Sequence, residues 1–214
     1  STVSRLIDAG VRSGGYKTFT KTTGTSPRII SVSGEEREIN RRGKANIKEQ
    51  IKAINWAYKE RAEVLILECM AVKPELQYIC ENKILNSDIG VITNVREDHL
   101  DEMGKTLDEI AESLSNTIPK NGAFFTSDKE YFEFFKRKAE KRNSKAFINR
   151  NEKEQYWDID FASNVSLAIE VCKYIGIDEK KALESMRNYH RDPGCLKTLL
   201  YKNRKGHEVF FVNA

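Results

Sequence analysis

The chain is short of cysteine, and what it has is poorly spaced for chemistry. Cys69, Cys80, Cys172 and Cys195 are scattered through 214 residues. They show no CxxC pair and no alternation with histidine, so neither a zinc site nor a disulfide scaffold is expected, and a reducing compartment is the simple reading. Long apolar runs are missing too. No stretch approaches the roughly 18 residues that a bilayer-crossing helix needs. The opening residues do not read as a signal peptide, so membrane attachment is expected to come from outside this segment. Charge of one sign is also lacking: 36 Lys and Arg face 32 Asp and Glu, a net +4. Mixed signs on that scale make no case for nucleic acid, and no nucleic-acid partner is expected. Neither an internal repeat nor a low-complexity tract is found.

What is present is 39% hydrophobic residues, enough to bury a substantial core in one large or two small domains. Val3, Leu6 and Ile7 predict a short helix over Thr2–Gly10, with the glycine where a helix would end. "YKTFT" predicts a strand, and "KTTGTSPRII" a polar loop punctuated by Gly and Pro. Ile47, Ile51, Ile54 and Tyr58 mark a helix over Asn46–Glu60, which leads into the buried strand "EVLILE". A helix from Pro74 to Glu81, the strand "IGVIT", a helix over Thr106–Ile118, "GAFFTS", "KEYFEFFKRKAEKR" and "KAFIN" continue the alternation. That pattern predicts an α/β fold, a mostly parallel sheet with helices on both faces. "DFASNVSLAIEVCKYIGI" and "DEKKALESMRNY" then read as two helices, and "DPGCLKTLLY" and "HEVFFV" as strands of a hairpin turning at "KNRKG".

Ligands of an open parallel sheet bind beyond the carboxyl ends of its strands. Three strand ends here carry suitable polar groups. "EVLILE" ends in Glu68, "IGVIT" runs into Asn94, Asp98 and His99, and "YKTFT" runs into Lys21, Thr22, Thr23, Gly24 and Thr25. Each has an ordinary structural reading as a helix cap or a turn; their coincidence at successive strand ends favours function. A magnesium site takes hard oxygen ligands, which Glu68 and the acids supply. A helix opening "STVSRL" suits the position directly after the Gly-Lys pair of a phosphate-binding loop, where a hydroxyl holds Mg²⁺.

"STVSRL", "KTTGTSPRII", "LILECMAVKPELQ", "GVITNVREDHLDEMGKTLDEIAESLSNTIPKNG" and "YFEFFKRKAEKRN" together resemble the central domain of the bacterial poly-γ-glutamate capsule synthetases. These belong with the muramyl-peptide (Mur) ligases and folylpolyglutamate synthetase. The resemblance spans essentially all of residues 1–214. It implies a P-loop NTPase-like central ATP-binding domain that begins after a GxxGK loop and a membrane-anchoring segment and ends before a C-terminal domain. It implies ATP and Mg²⁺ as cofactors, glutamate and polyglutamate as substrates, membrane subunits of a capsule-synthesis complex as partners, and a place on the cytoplasmic face of the membrane. By position, Ser1 is similar to the Mg²⁺-binding hydroxyl, with Thr2 beside the phosphates; Glu68 is similar to the strand-end glutamate that coordinates Mg²⁺, and His99 to the histidine serving a second ion. Asn94 and Asp98 complete that motif. Thr23, Gly24 and Thr25 would face phosphates or substrate carboxylate, and Asn164 resembles the asparagine that binds adenine.

Two departures stand out. "IAESLSNTIP" lacks the carbamoylated lysine of many Mur ligases, and Cys195 stands where their "PGR" arginine would be, with Lys197 nearby. The implied reaction is ATP-dependent amide formation through an acyl phosphate, in which Glu68, His99, Asp98 and Asn94 would serve catalysis. The segment alone is expected to be inactive. A P-loop kinase or switch of another class is the alternative, and a non-catalytic interaction domain the third reading.

Overall fold

In a computed structural model of the chain, residues 1–214 are described except 25, 42, 44, 151, 152, 154, 155, 193–196, 203–207 and 214. Helix α1 (Thr2–Ser13) runs a turn beyond the Thr2–Gly10 reading. Leu6 and Val11 are fully buried, and Gly10 lies inside the helix, where α1 meets α7 (Ala162–Ile175) and α8 (Glu179–Arg187). A Cβ at Gly10 would fall 2.5 Å from Cys172 Sγ and 2.9 Å from Met186 Cε. This glycine permits a close helix crossing; it does not end the helix.

Strands β1 (Thr18–Lys21), β2 (Arg28–Ile30), β3 (Glu36–Glu38) and β4 (Val64–Leu67) form a sheet in the order β3-β2-β1-β4. β1 and β4 run parallel, from Thr18 opposite Val64 to Lys21 opposite Leu67, while β2 and β3 are antiparallel additions. The stretch expected to be only a polar loop thus contains β2, whose Ile29 and Ile30 are buried. Three residues are too few to show a period of two. A second sheet holds β5 (Ile89–Ile92), β6 (Ala123–Thr126) and β7 (Lys145–Ile148), all parallel. The expected terminal hairpin is present as β8 (Lys197–Lys202) and β9 (Glu208–Asn213); its turn lies outside the described residues.

Helices cover both faces, as the alternating pattern predicted. On one side α1 and α7 bury Ala123 and Phe125, with Val64, Ile66, Ile89 and Val91 packed against them. On the other, α2 (Lys48–Lys59) sits over Phe19, Leu65 and Leu67. α5 (Leu107–Leu114) and α6 (Phe132–Lys141) sit over Phe124, using Ile110 and Phe135. The links are α3 (Pro74–Ile79), which continues as a π-helical turn through Leu85, and the short α4 (Leu100–Met103). α5 opens with a capping box, in which Thr106 Oγ1 and Glu109 satisfy each other's backbone amides.

Two strands stand apart. β1 and β6 are buried throughout, whereas no residue of β4 is, and Ile89 and Val91 of β5 are only half-buried. Parallel strands covered on both faces are ordinarily the most buried of all. Their exposure is lateral: among the described residues no ladder joins β4 to β5, yet both pack on the same α1–α7 core.

Charge is buried alongside α1. Arg5 is almost wholly inside, donating to Glu36 Oε1 at 2.6 Å and to the His190 carbonyl at 3.0 Å. Asp8 accepts from Arg12 at 2.8 Å and from Thr20 Oγ1 at 2.6 Å, while Arg12 also donates to the carbonyls of Thr18, Ser31 and Val32. These bonds lock α1 to the β1–β2 pair. Lys21, fully buried at the end of β1, is less well served: its Nζ lies 3.7 Å from Met70 Sδ and 3.7 Å from Glu49 Oε2. Burial pulls its ammonium below the ordinary 10.5, with Glu49 pulling the other way.

Stability should respond to both features. Gly10→Val drives branched carbons into Cys172 and Met186 and should cost about 1–3 kcal/mol, the usual penalty of overpacking, measurable as a lowered urea midpoint. Lys21→Met removes an ammonium that folding desolvates and should raise stability by roughly 1 kcal/mol at neutral pH. Because the lysine's folded pKa is depressed, its penalty is present while it is charged and fades as pH rises toward 10.5. Urea titrations at increasing pH should therefore show the variant's advantage shrinking.

Candidate functional site

The adjoining exits of β1 and β4 build a cradle around one carboxylate. Glu68 extends the ladder by one bond, its N–H donating to the Lys21 carbonyl at 3.0 Å, and its own carbonyl accepts from Gln50 Nε2 at 3.0 Å. With its backbone held on both sides, its side chain reaches across the strand ends. Oε2 accepts from Ser1 Oγ at 2.9 Å and from the Thr23 amide at 2.7 Å, and the Ser1 nitrogen lies 2.9 Å from Oε1. Ser1 stands at the N-cap of α1, yet its hydroxyl makes no capping bond; it faces Glu68 and, at 3.5 Å, the Thr23 carbonyl. Gly24 comes next with φ +91°, a left-handed turn that takes the chain out of the strand. Thr2 forms the first turn of α1, and Thr25 lies outside the described residues.

Beside the cradle two buried polar atoms have no hydrogen-bond partner, Thr22 Oγ1 and Gln50 Oε1. An orphaned buried hydroxyl is costly and marks a place where a ligand or water is wanted. The Ser1 hydroxyl and the Glu68 carboxylate, in contact with each other, are both hard oxygen donors. That set fits a magnesium-type cation whose remaining positions go to water and phosphate oxygens.

The His99 group does not join them. β5 leads into a loop pinned by the Val95 amide donating to Asp128 Oδ2 at 2.7 Å; Asn94 just before this anchor and Asp98 and His99 after it are all exposed. His99 Nε2 lies 3.6 Å from Asp98 Oδ1, and the histidine backbone is left-handed with φ 45°. Among the described residues no group of three or more His, Cys, Asp or Glu side chains is placed to hold a metal. Of the expected trio, Ser1 and Glu68 meet, while His99 waits at a separate strand exit. It could not meet them through a shared ladder, because β4 and β5 are not hydrogen-bonded neighbours.

Asn164 occupies the first turn of α7, its Nδ2 donating to Asp160 Oδ1 at 3.1 Å; Tyr189 Oη holds the other oxygen at 2.7 Å. This helix end is stitched to the exits of β6 and β7 by Ser127 Oγ donating to the Ser163 carbonyl and by Ser166 Oγ donating to Asn149 Oδ1 at 2.7 Å. Phe161 and Trp157 lie exposed beside it, edge to face with centroids 6.0 Å apart. Cys195 falls outside the described residues, and so does the side chain of Lys197.

Sequence reasoning missed a charged group bordering the cradle. Arg41 is bidentate to Glu49, with Nε 2.8 Å from Oε1 and Nη2 3.1 Å from Oε2, and reaches Thr23 Oγ1 at 3.4 Å. Its signal was in the basic run "NRRGKANIK", whose nearness to Glu68 only folding reveals.

Comparison with known proteins places the chain in a family. Residues 1–185 match the Mur ligase middle domain. The chain is 43% identical over 221 residues to capsule biosynthesis protein CapB of Bacillus anthracis, covering 100% of this chain and 47% of that protein. It is 43% identical over 223 residues to PGA synthase CapB of Bacillus subtilis (strain 168), covering 100% of this chain and 56% of that one. The chain therefore spans about half the length of these relatives. A crystal structure of a bifunctional folylpolyglutamate synthase/dihydrofolate synthase with Mn, AMPPNP and L-glutamate bound shares the fold. Its TM-score is 0.65 at 11% identity, over 92% of this chain and 57% of that one. With its strand-end glutamate clamped to the first hydroxyl of α1, and with these matches running from one end to the other, the chain belongs to the Mur ligase family as a middle domain.

Proposed function

We propose that this domain is the nucleotide-handling centre of an ATP-dependent amide ligase that extends poly-γ-glutamate. The observation that carries the reading is the Glu68 carboxylate, held by the Ser1 hydroxyl and the Thr23 amide at the joined exits of β1 and β4. The names of the CapB relatives support the product, and the AMPPNP, Mn and L-glutamate in the structural neighbour support the reactants.

Amide formation from a carboxylate is uphill, because the anion is a poor electrophile. In the proposed reaction a terminal carboxylate of the chain attacks the γ-phosphorus of ATP, releasing ADP and leaving an acyl phosphate. The amine of the next glutamate then attacks the acyl carbon, loses its proton and displaces phosphate. Catalysis of such a transfer rests on positioning and charge neutralisation. A divalent cation held by Ser1 and Glu68, Mg²⁺ in the working enzyme, supplies that neutralisation. Thr23 fixes the Glu68 carboxylate in place, Gly24 turns the loop away, and Thr2 and Thr25 line the phosphate side. Asn164 meets adenine, with Phe161 and Trp157 offering ring faces for stacking. Asn94, Asp98 and His99 stand at the separate exit of β5, where His99 would serve a second cation once the full-length enzyme brings that exit to the cradle.

The working protein is larger in this reading. A strand that ends in a GxxGK loop just before Ser1 would pair with the open edges of β4 and β5 and deliver the loop to the cradle. A C-terminal domain closes the cleft, and residues 1–214 alone are inactive. Among the described residues no helix is long and apolar enough to cross a membrane. In this reading the full-length enzyme works at the cytoplasmic face of the membrane, beside membrane subunits of a capsule-synthesis complex.

Glu68→Gln in the full-length protein should lower glutamate-dependent ADP release by about a hundredfold or more, the scale on which transition-state electrostatics acts, while leaving the melting temperature within a few degrees. Activity close to wild type would remove Glu68 from the site. ADP release that ignores glutamate would point to a kinase or switch.

A further inference from the structure

Arg41 and Glu49 form a pair of the kind usually assigned to stability, but their setting argues otherwise. The Arg41 guanidinium is partly exposed and touches the hydroxyl of Thr23, the same residue whose backbone amide holds Glu68. Behind it lies Lys21, a fully buried ammonium whose polar neighbours include a thioether at 3.7 Å and Glu49 Oε2 at 3.7 Å. An ammonium has three strong donors, and neither contact fills one well. Two cations thus converge on the Glu49 carboxylate, and Glu68 is the other acid whose charge acts on Lys21. In the sequence three more cations, Arg42, Lys44 and Lys48, follow Arg41 with no acid among them.

The carboxylate between the cations is chemically telling. Glu49 presents a carboxylate, the functional group that the substrate of the proposed ligase carries on every unit. A planar guanidinium takes such a group bidentately, with better geometric discrimination than a lysine gives. We propose that Arg41, backed by Lys21, is a carboxylate-binding subsite for the polyglutamate chain, and that Glu49 fills it as an internal placeholder until substrate arrives. The inference rests on the ligase reading and adds to it a residue that selects the substrate. A γ-linked polymer keeps one free α-carboxylate on every unit. A subsite next to the cradle can grip one of these and leave the terminal carboxylate at the reacting position. Arg41 acts by binding the chain, and Glu49 by competing with it.

A structural pair and a placeholder give opposite signatures. In the full-length protein, binding of a fluorescein-labelled oligo-γ-glutamate is followed by anisotropy at fixed ionic strength, with thermal melting as the check on folding. Arg41→Gln should weaken binding tenfold or more, and Arg41→Lys should recover part of the loss. Glu49→Gln should tighten binding several-fold, because it vacates the cations. If Glu49→Gln weakens binding as Arg41→Gln does, if neither variant changes it, or if the wild type fails to bind the labelled chain, the subsite is disproved. Glutamate-dependent ADP release measured on the same wild-type preparation tests the ligase reading separately: binding with the opposed signs but no ADP release would sink that reading and leave the subsite standing.

Discussion

The carboxylate of Glu68 is the constraint on which the rest of the site depends. Three separate pieces of chain converge on it: the start of α1 through Ser1, the exit of β1 through Thr23, and the exit of β4 that carries it. The parallel pairing of β1 and β4 makes the convergence possible, because it puts both carboxyl ends at the same height. Gln50, reaching from α2 to the Glu68 carbonyl, fixes the backbone from the other side. A carboxylate held this firmly is pre-organised, so little reorganisation is needed when charge develops near it.

Around this anion the fold tolerates costs that a purely structural protein would avoid. Lys21 is buried with weak partners, and Thr22 Oγ1 and Gln50 Oε1 have none. Such departures tend to gather at working sites, where stability is exchanged for function. The well-satisfied network lies elsewhere: Asp8, Arg12 and Thr20 bind one another and the neighbouring carbonyls, holding α1 rigidly so that Ser1 meets Glu68.

The half-exposed β4 and β5 belong to the same logic. Each is packed above and below like an interior strand but is exposed along one edge, and both share the α1–α7 core. No ladder joins them among the described residues, and that is why the exits of β4 and β5, both prominent in sequence, stand apart here.

Much of this was readable from the residues. The alternation of short apolar runs with period-3.6 patterns specified α/β layering, because a strand buried on both faces must be apolar throughout and its covering helix apolar on one side. Glu68 stood out because it sits where a strand ends and Ser1 because it opens a helix, junctions that are local in sequence, whereas Asn164 was singled out only by the family resemblance. The sequence could not show that Gly10 serves a helix crossing instead of a helix end, that "PRII" pairs as β2, or that Arg41 lies beside Thr23. Each of these depends on partners distant along the chain: Cys172 and Met186 for Gly10, Thr20 and Lys21 for β2, Thr23 for Arg41. The sequence alone determined which groups could bind a cation or an anion, since that is a matter of side-chain chemistry. Tertiary structure decided which of them meet, because strand order and lateral pairing set the distances between groups that the chain keeps far apart.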